Sequence, residues 1–381
     1  MSFSLDQDPV LYPDKMGMRQ YSLDSLREKI EEQFHAETAG RVDIFSELNT
    51  RAARLTYLHE IADYVLASEY VVLPMAEKNR VVGAAVDNLF YFGPLDPYLR
   101  DPQVTEIALE GPFDAHVRLG FGEMQRVAAP YSSFQNLEDQ LMRLLAPAGA
   151  SFLADYPFLE VGLSLHDRPV RVSLIGPPAN TGYSVQFRLH PTPANALGLA
   201  ALTPATVPAM AAELLHAGLA AGRGLLITGE VGVGKSTLLA ALLNNLPAPG
   251  AALLVERARE ATLNPNLATL PAEPPRMDGT HQDFAAQISE GAARSPRLLA
   301  IDEIRGDEGP ALVDALEHPG IGQLMIALRG TANARRLLSA FTIALVRTRP
   351  DLDQATIYRL ILEKMPLVAV LGRPAGARTL A

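Results

Sequence analysis

The sequence predicts an α/β protein in which a C-terminal parallel-sheet domain follows an α+β domain and a small helical bundle. Three observations carry that expectation. A glycine-rich loop, GEVGVGKST, runs from Gly229 to Thr237 directly after the apolar run GLLIT. Two more apolar runs, ALLVE and LLAIDE, end in acids, the pattern of strands buried on both faces whose ends emerge at a polar edge. Residues 22–90 instead repeat apolar positions at helical spacing.

The bulk numbers fit this. At 381 residues the chain has room for two or three domains. Hydrophobic residues make up 48% and charged residues 20%, a globular composition. A formal net charge of -10 argues against a generic nucleic-acid footprint, and no nucleic-acid partner is expected. The absence of cysteine excludes disulfides and thiolate zinc sites. No run of about 18 apolar residues suggests a membrane span. The start, MSFSLDQDPV, lacks the basic and apolar stretches of a secretory signal, so a cytoplasmic location is expected, with membrane association only through partners.

Along the chain, residues 1–20 read as a loose tail. A helical bundle is expected over 21–92: Ser22 and Asp24 can cap a first helix with apolar positions at Leu26, Ile30 and Phe34. A second pattern runs through Leu55, Leu58, Ile61, Tyr64 and Val65, and a third through Val81, Ala85 and Leu89. An α+β domain is expected over 93–190. It has short strands at Val104 to Gly111 and Asp114 to Gly120, a helix near 134–147, a hairpin turning at His166-Asp167-Arg168-Pro169, and a strand at Tyr183 to His190. Proline and alanine mark a linker at 191–205. The parallel-sheet domain fills 206–381, with a helix at Val207 to Ala221 and then strand, glycine loop and helix.

The loop satisfies G-x-x-x-x-G-K-[ST] through Gly229, Gly234, Lys235 and Ser236. Backbone N–H groups of Gly229, Glu230, Val231, Gly232, Val233, Gly234, Lys235, Ser236 and Thr237 would curl around an anion at the new helix's positive end. Lys235 would reach the β- and γ-phosphates of a nucleotide, and Ser236 would ligate Mg²⁺. Asp302 and Glu303, at the end of LLAIDE, stand where a metal ligand and a water-activating group belong. Glu256 ends its strand the same way. It either polarises water or pairs with Arg257 or Arg259, and the residues alone leave both open.

With the loop, ALLVERARE, RSPRLLAIDEIRGDE and FGPLDPYLRDPQVTEIALEGP, the chain resembles the type II/IV secretion ATPase superfamily, and most of all the Tad/Flp-type pilus-assembly ATPases. The resemblance covers roughly residues 80–378. It implies a P-loop NTPase domain of RecA-like type that uses ATP and Mg²⁺. It implies a ring, taken as a homohexamer, working against a polytopic inner-membrane platform protein. Arg188, in the strand before the linker, inherits a role near the nucleotide. Glu256 and Glu260 match the acidic box, and Glu303, Arg305, Gly306 and Glu308 match the segment around the second acid pair, which places Arg305 among the charge-stabilising groups. Arg373, Gly376 and Arg378 echo a C-terminal pattern.

The chain departs from the family at three places. Arg257 replaces an aspartate, and Asp302 a glycine. In the histidine box, EHPGIGQLMIALRGTANARR, His318 matches the first histidine while Leu328 or Gly330 stands for the second. Slow turnover is therefore expected, with Asp302, Arg305 or Arg329 compensating. The eight histidines show no metal-site spacing. Arg335, Arg336 and Arg347 fit either intersubunit fingers or a solvated face. Beside a motor stand two alternatives: a nucleotide-binding ring subunit with little or no turnover, and, less well supported, a DNA translocase.

Overall fold

The computed structural model describes residues 22–39, 44–120, 122–128, 131, 133–150, 157–192, 198–203, 206–230, 232–246, 251–274, 281–305, 308–330 and 333–372. The expected tail, Val231, Gly306, residues 193–197 and 204–205 of the linker, and Arg373, Gly376 and Arg378 lie outside the described residues. The chain packs as two units, one within residues 1–101, 109–117 and 125–144, the other within 102–108, 118–124 and 145–381.

The first unit is mainly helical. Ser22 Oγ accepts from the Ser25 N–H at 3.1 Å and starts the helix Leu23–Thr38. Thr50 caps Arg51–Ser68 in the same way, and Pro74 precedes Met75–Phe90. Leu26, Ile30 and Phe34 pack with Leu58, Ile61 and Val65 and with Val81, Val82, Ala85 and Val86. Tyr64, expected on the apolar stripe, is 60% exposed, because the buried stripe follows Leu58, Ile61, Ala62 and Val65. A further helix spans Phe134–Leu145.

Twelve strands follow in chain order: β1 Val104–Glu110, β2 Asp114–Leu119, β3 Met124–Val127, β4 Phe158–Leu165, β5 Arg168–Ile175, β6 Ser184–Leu189, β7 Leu225–Gly229, β8 Ala252–Glu256, β9 Ala268–Pro271, β10 Leu298–Ile304, β11 Gln323–Arg329 and β12 Leu367–Leu371. The first six form one sheet in the order β3-β2-β1-β6-β5-β4. β4 and β5 are an antiparallel hairpin whose two turn residues, His166 and Asp167, both have positive φ (50° and 60°), as the twist of a two-residue hairpin demands.

The other six form a parallel sheet in the order β12-β7-β11-β10-β8-β9. Every residue of β7 and β8 is buried. Helices Lys235–Asn244, Phe284–Ala293, Gly309–Glu317 and Gln354–Lys364 accompany the sheet, and two apolar clusters form its core. This is the expected α/β, RecA-like arrangement, with the glycine loop at the carboxyl end of an interior strand. The residue pattern had not singled out β3, β9, β11 or β12. Among the described residues no helix is long and apolar enough to cross a membrane.

Candidate phosphate-binding site

All the groups described next lie in the second unit. The loop after β7 turns through Gly232 (φ 78°) and Gly234 (φ 91°), left-handed conformations that glycine adopts without strain. Gly234 is the N-cap of the helix Lys235–Asn244, so the helix's free N–H groups open towards the loop. Lys235 is buried, its Nζ donating to the carbonyls of Gly229 (3.2 Å) and Glu230 (2.7 Å). Burial, with the charges of Arg329 and Arg188, holds its ammonium below the usual lysine range against the pull of Glu303 and Asp302. Glu230, Gly232 and Thr237 are exposed, and Val233 and Ser236 half-buried. Val231 cannot be placed, since it falls outside the described residues.

β10 brings the acid pair to the same edge. Ser236 Oγ donates to Asp302 Oδ1 at 3.3 Å. Asp302 is buried, and its Oδ2 has no hydrogen-bond partner among the described residues. Burial, then the charge of Glu260, raises the Asp302 carboxyl above the usual aspartate range. An orphaned buried carboxylate oxygen beside a serine hydroxyl suits a hard cation. Among the described residues no group of three or more His, Asp or Glu could hold a metal alone, so phosphate oxygens and water would complete the shell.

Glu303, next in the strand, is half-buried and sits between cations. Its Oε2 lies 3.2 Å from Arg305 Nη2 and 3.7 Å from Arg171 Nη2. Burial would raise its carboxyl, but Arg305, Arg171 and Lys235 outweigh it and hold the group below the usual range. Arg305 turns its other edge to Glu160 on β4, at 2.9 and 3.2 Å. Arg188 pairs across the sheet with Arg171, and its charge is felt at Lys235 and Glu260.

Among the described residues Glu256 pairs with neither Arg257 nor Arg259. Its Oε1 accepts from the backbone N–H of Ala261 (2.8 Å) and Glu260 (3.2 Å), closing the loop after β8. Burial pushes its carboxyl up to about 8. Arg257 instead pairs with Glu308, and its guanidinium lies 4.5 Å from the centre of the Phe284 ring. Glu260 is buried against Arg171 (3.3 Å) and His190 (3.3 Å). Burial would raise it, but His190 and Arg171 win and hold it well below the usual range.

β11 places the histidine-box positions. This strand lies between β7 and β10, with Arg329 in register with Gly229 and Leu328 with Thr228. Leu328 points into the core. A Cβ on Gly330 would collide with Leu337 and stand 2.6 Å from Thr228 Oγ1. Neither position offers a side chain to the site. Arg329 does: it is exposed at the strand's carboxyl end and lowers the proton affinity of Lys235. His318 precedes β11, so it lies by the opposite edge, roughly 20 Å from Arg329 at strand rise.

Two outcomes follow. Glu256→Gln keeps an acceptor and removes a buried charge. The folded value of about 8 lies above the ordinary 4.5, so Glu256 favours the folded state below the ordinary value, and this is lost as pH rises through the folded one. Urea unfolding should find the variant equal to wild type near pH 5 and more stable near pH 9, by on the order of 1–3 kcal/mol. A less stable variant near pH 9 would contradict this. Gly330→His should lower stability by about 1–3 kcal/mol through overpacking and leave nucleotide turnover no faster; a faster variant would restore the histidine-box reading.

No protein-family model matches the chain. It is similar to a conjugal transfer protein of Mycobacterium tuberculosis, 29% identical over 240 residues, covering 60% of this chain and 66% of that one. It is also similar to the type IV secretion system protein PtlH of Bordetella pertussis, 27% identical over 170 residues, covering 43% and 49%. The chain thus spans just under two thirds of the first relative and about half of the second. Among solved structures it is similar to the VirB11 ATPase of the Brucella suis type IV secretion system, at 18% identity and a TM-score of 0.38, covering 78% of this chain and 93% of that one. It is likewise similar to the pilus retraction motor PilT with bound ADP, at 16% identity and a TM-score of 0.46, covering 71% and 74%. The chain is thus similar in sequence to conjugal-transfer and type IV secretion proteins, and its glycine loop and acid-ended strands share one sheet edge.

Proposed function

We propose that the chain binds and hydrolyses ATP with Mg²⁺ as the motor of a secretion or Tad-type pilus-assembly system. The observation that carries this reading is the joining of Ser236 to Asp302 beside a buried Lys235 in a helix-capping loop. In this reading the backbone of Gly229 to Thr237 cradles the phosphates. Lys235, Arg188 and Arg329 balance charge on the β- and γ-phosphates. Ser236 and Asp302 would hold Mg²⁺, which when bound neutralises phosphate charge. Glu303 orients water and takes its proton, and Arg305 steadies Glu303. Glu256 orders the 257–261 loop, because its acceptor is already occupied by two backbone donors.

At the level of the assembly, the resemblance supports a homohexameric ring, cytoplasmic and held at the inner membrane by a polytopic platform protein, without a nucleic-acid partner. The helical bundle (21–92), α+β domain (93–190), linker (191–205) and ATPase domain (206–381) are the proposed moving parts. Nucleotide binding would change how the last two domains are disposed about the linker. A second reading, a nucleotide-binding ring subunit with little turnover, is favoured by the pairing of Glu303 with two arginines.

Lys235→Ala should abolish ATP binding or turnover, and Glu303→Gln should keep binding while lowering phosphate release by about 10²-fold. Binding by titration and steady-state phosphate release check both. Tight binding with no release by the wild type selects the second reading. Full activity in Lys235→Ala removes the assignment of the site.

A further inference from the structure

Asp302 and Glu303 sit where the ladder of the parallel sheet is interrupted. β8 pairs with β10 as far as Ile301, opposite Val255. On the other side, β10 advances three residues between the pairings Ile301–Ile326 and Ile304–Leu328, while β11 advances two. The two acids therefore form a bulge, with one residue more than the strand beside it. Neighbouring side chains of an unbroken strand point to opposite faces. Here Asp302 meets Ser236, Glu303 meets Arg305, and both charges act on Lys235. The bulge lets adjacent acids serve one site, and something besides the ladder has to fix its shape.

Arg257, a departure from the family's acidic box, supplies that fixture. Its Nε donates to the Glu303 carbonyl at 3.4 Å, and its Nη2 pairs in close contact with Glu308. Glu308 is buried at the N-cap of the helix Gly309–Glu317, and its Oε2 accepts from the Arg305 N–H at 3.2 Å. Arg257 and Glu308 thus grip the main chain on both sides of Ile304, at the carbonyl of Glu303 and at the N–H of Arg305. The guanidinium is itself seated on the Phe284 ring, 4.5 Å from its centre. Serving two acceptors at once takes the planar fork of an arginine.

We propose that Arg257 is a positioning residue for Glu303: with Glu308 it holds the bulge of β10 in the shape that brings Glu303 to the glycine loop beside Asp302. The inference rests on the reading of Glu303 as the group that orients water. The phosphate cradle stands on other elements, β7 and the helix Lys235–Asn244, so the clamp sets the rate of hydrolysis and not the affinity for nucleotide.

The test is ATP binding and steady-state hydrolysis by the full chain, with Arg257→Met made in the wild type and again in the Glu303→Gln background. Methionine keeps an apolar stem against Phe284 and removes every donor. In the wild type it should lower kcat by about tenfold or more, as misplacement of a reacting group does, with the KM for ATP changed less than about twofold. In the Glu303→Gln background it should cost no further rate, because nothing is left to position. Arg257→Lys keeps a cation for Glu308 but cannot also reach the Glu303 carbonyl. It should melt as the wild type does, turn over more slowly, and lose that effect in the Glu303→Gln background; it carries the test where Arg257→Met does not fold. Wild-type kcat in both variants would overturn the proposal. So would an equal loss of rate with and without Glu303, which would mark Arg257 as merely structural. If wild-type turnover is absent, or Glu303→Gln leaves it intact, the reading of Glu303 itself fails and takes the proposal with it.

Discussion

The site depends on one constraint: β7, β8, β10 and β11 are parallel, buried, and hydrogen-bonded in register, so their carboxyl ends must share an edge. Buried strands can carry polar side chains only where they emerge. β7 emerges into the glycine loop, β8 into Glu256, β10 into Asp302 and Glu303, and β11 into Arg329. The order of the sheet does the rest. Because β11 lies between the loop strand and the acid strand, its terminal residue is placed beside both without any help from the loops that follow.

A second layer of placement comes from charge. Three of the acids near this edge, Glu260, Glu303 and Glu308, are paired with arginines that come from separate elements. Arg171 comes from β5, Arg305 from the end of β10, and Arg257 from the loop after β8. Each guanidinium divides its donors among two or three acceptors. A planar fork with five donors can do this where a lysine could not. The network thus fixes side chains that adjacent strands alone would leave free to choose among rotamers, and it ties β4 and β5 to the acidic loop through Arg171 and Glu160, with Gly162 of β4 lying against Arg259.

Much of this was legible in the residues. The glycine loop, the three apolar runs and the β4–β5 hairpin all carry strong local signals, because glycine, turn residues and unbroken apolar runs have few alternative uses. What local pattern could not supply was pairing at a distance. β11 is hard to read because its apolar run falls inside a segment that also resembles a motif. QLMIALR is as strand-like as LLAIDEI, and that reading would have put Arg329, not Leu328 or Gly330, at the edge. β9 and β12 are short and partly exposed, which weakens their signature. Glu160 and Arg171 were invisible for a different reason. Neither lies in a motif, and besides each other their partners, Glu260 for Arg171 and Arg305 for Glu160, lie 89 and 145 positions away in the chain.

The four acids at the edge divide into two pairs by environment, and the division suggests how labour is shared among them. Glu256 and Asp302 are buried with no arginine in direct contact, and burial raises both. Glu260 and Glu303 are buried or half-buried with arginines against them, and both are lowered. A raised, water-excluded carboxyl is held back from ionising until a cation arrives, whereas a lowered one is already charged and already in use. Of the raised pair, Glu256 spends its oxygen on backbone donors, which leaves Asp302 as the acid with a free atom and the most to gain from a cation. Of the lowered pair, Glu260 is enclosed by Arg171 and His190, which leaves Glu303 as the charged acid with partial exposure. The two adjacent residues Asp302 and Glu303, near the end of β10, are thereby driven in opposite directions by their neighbours.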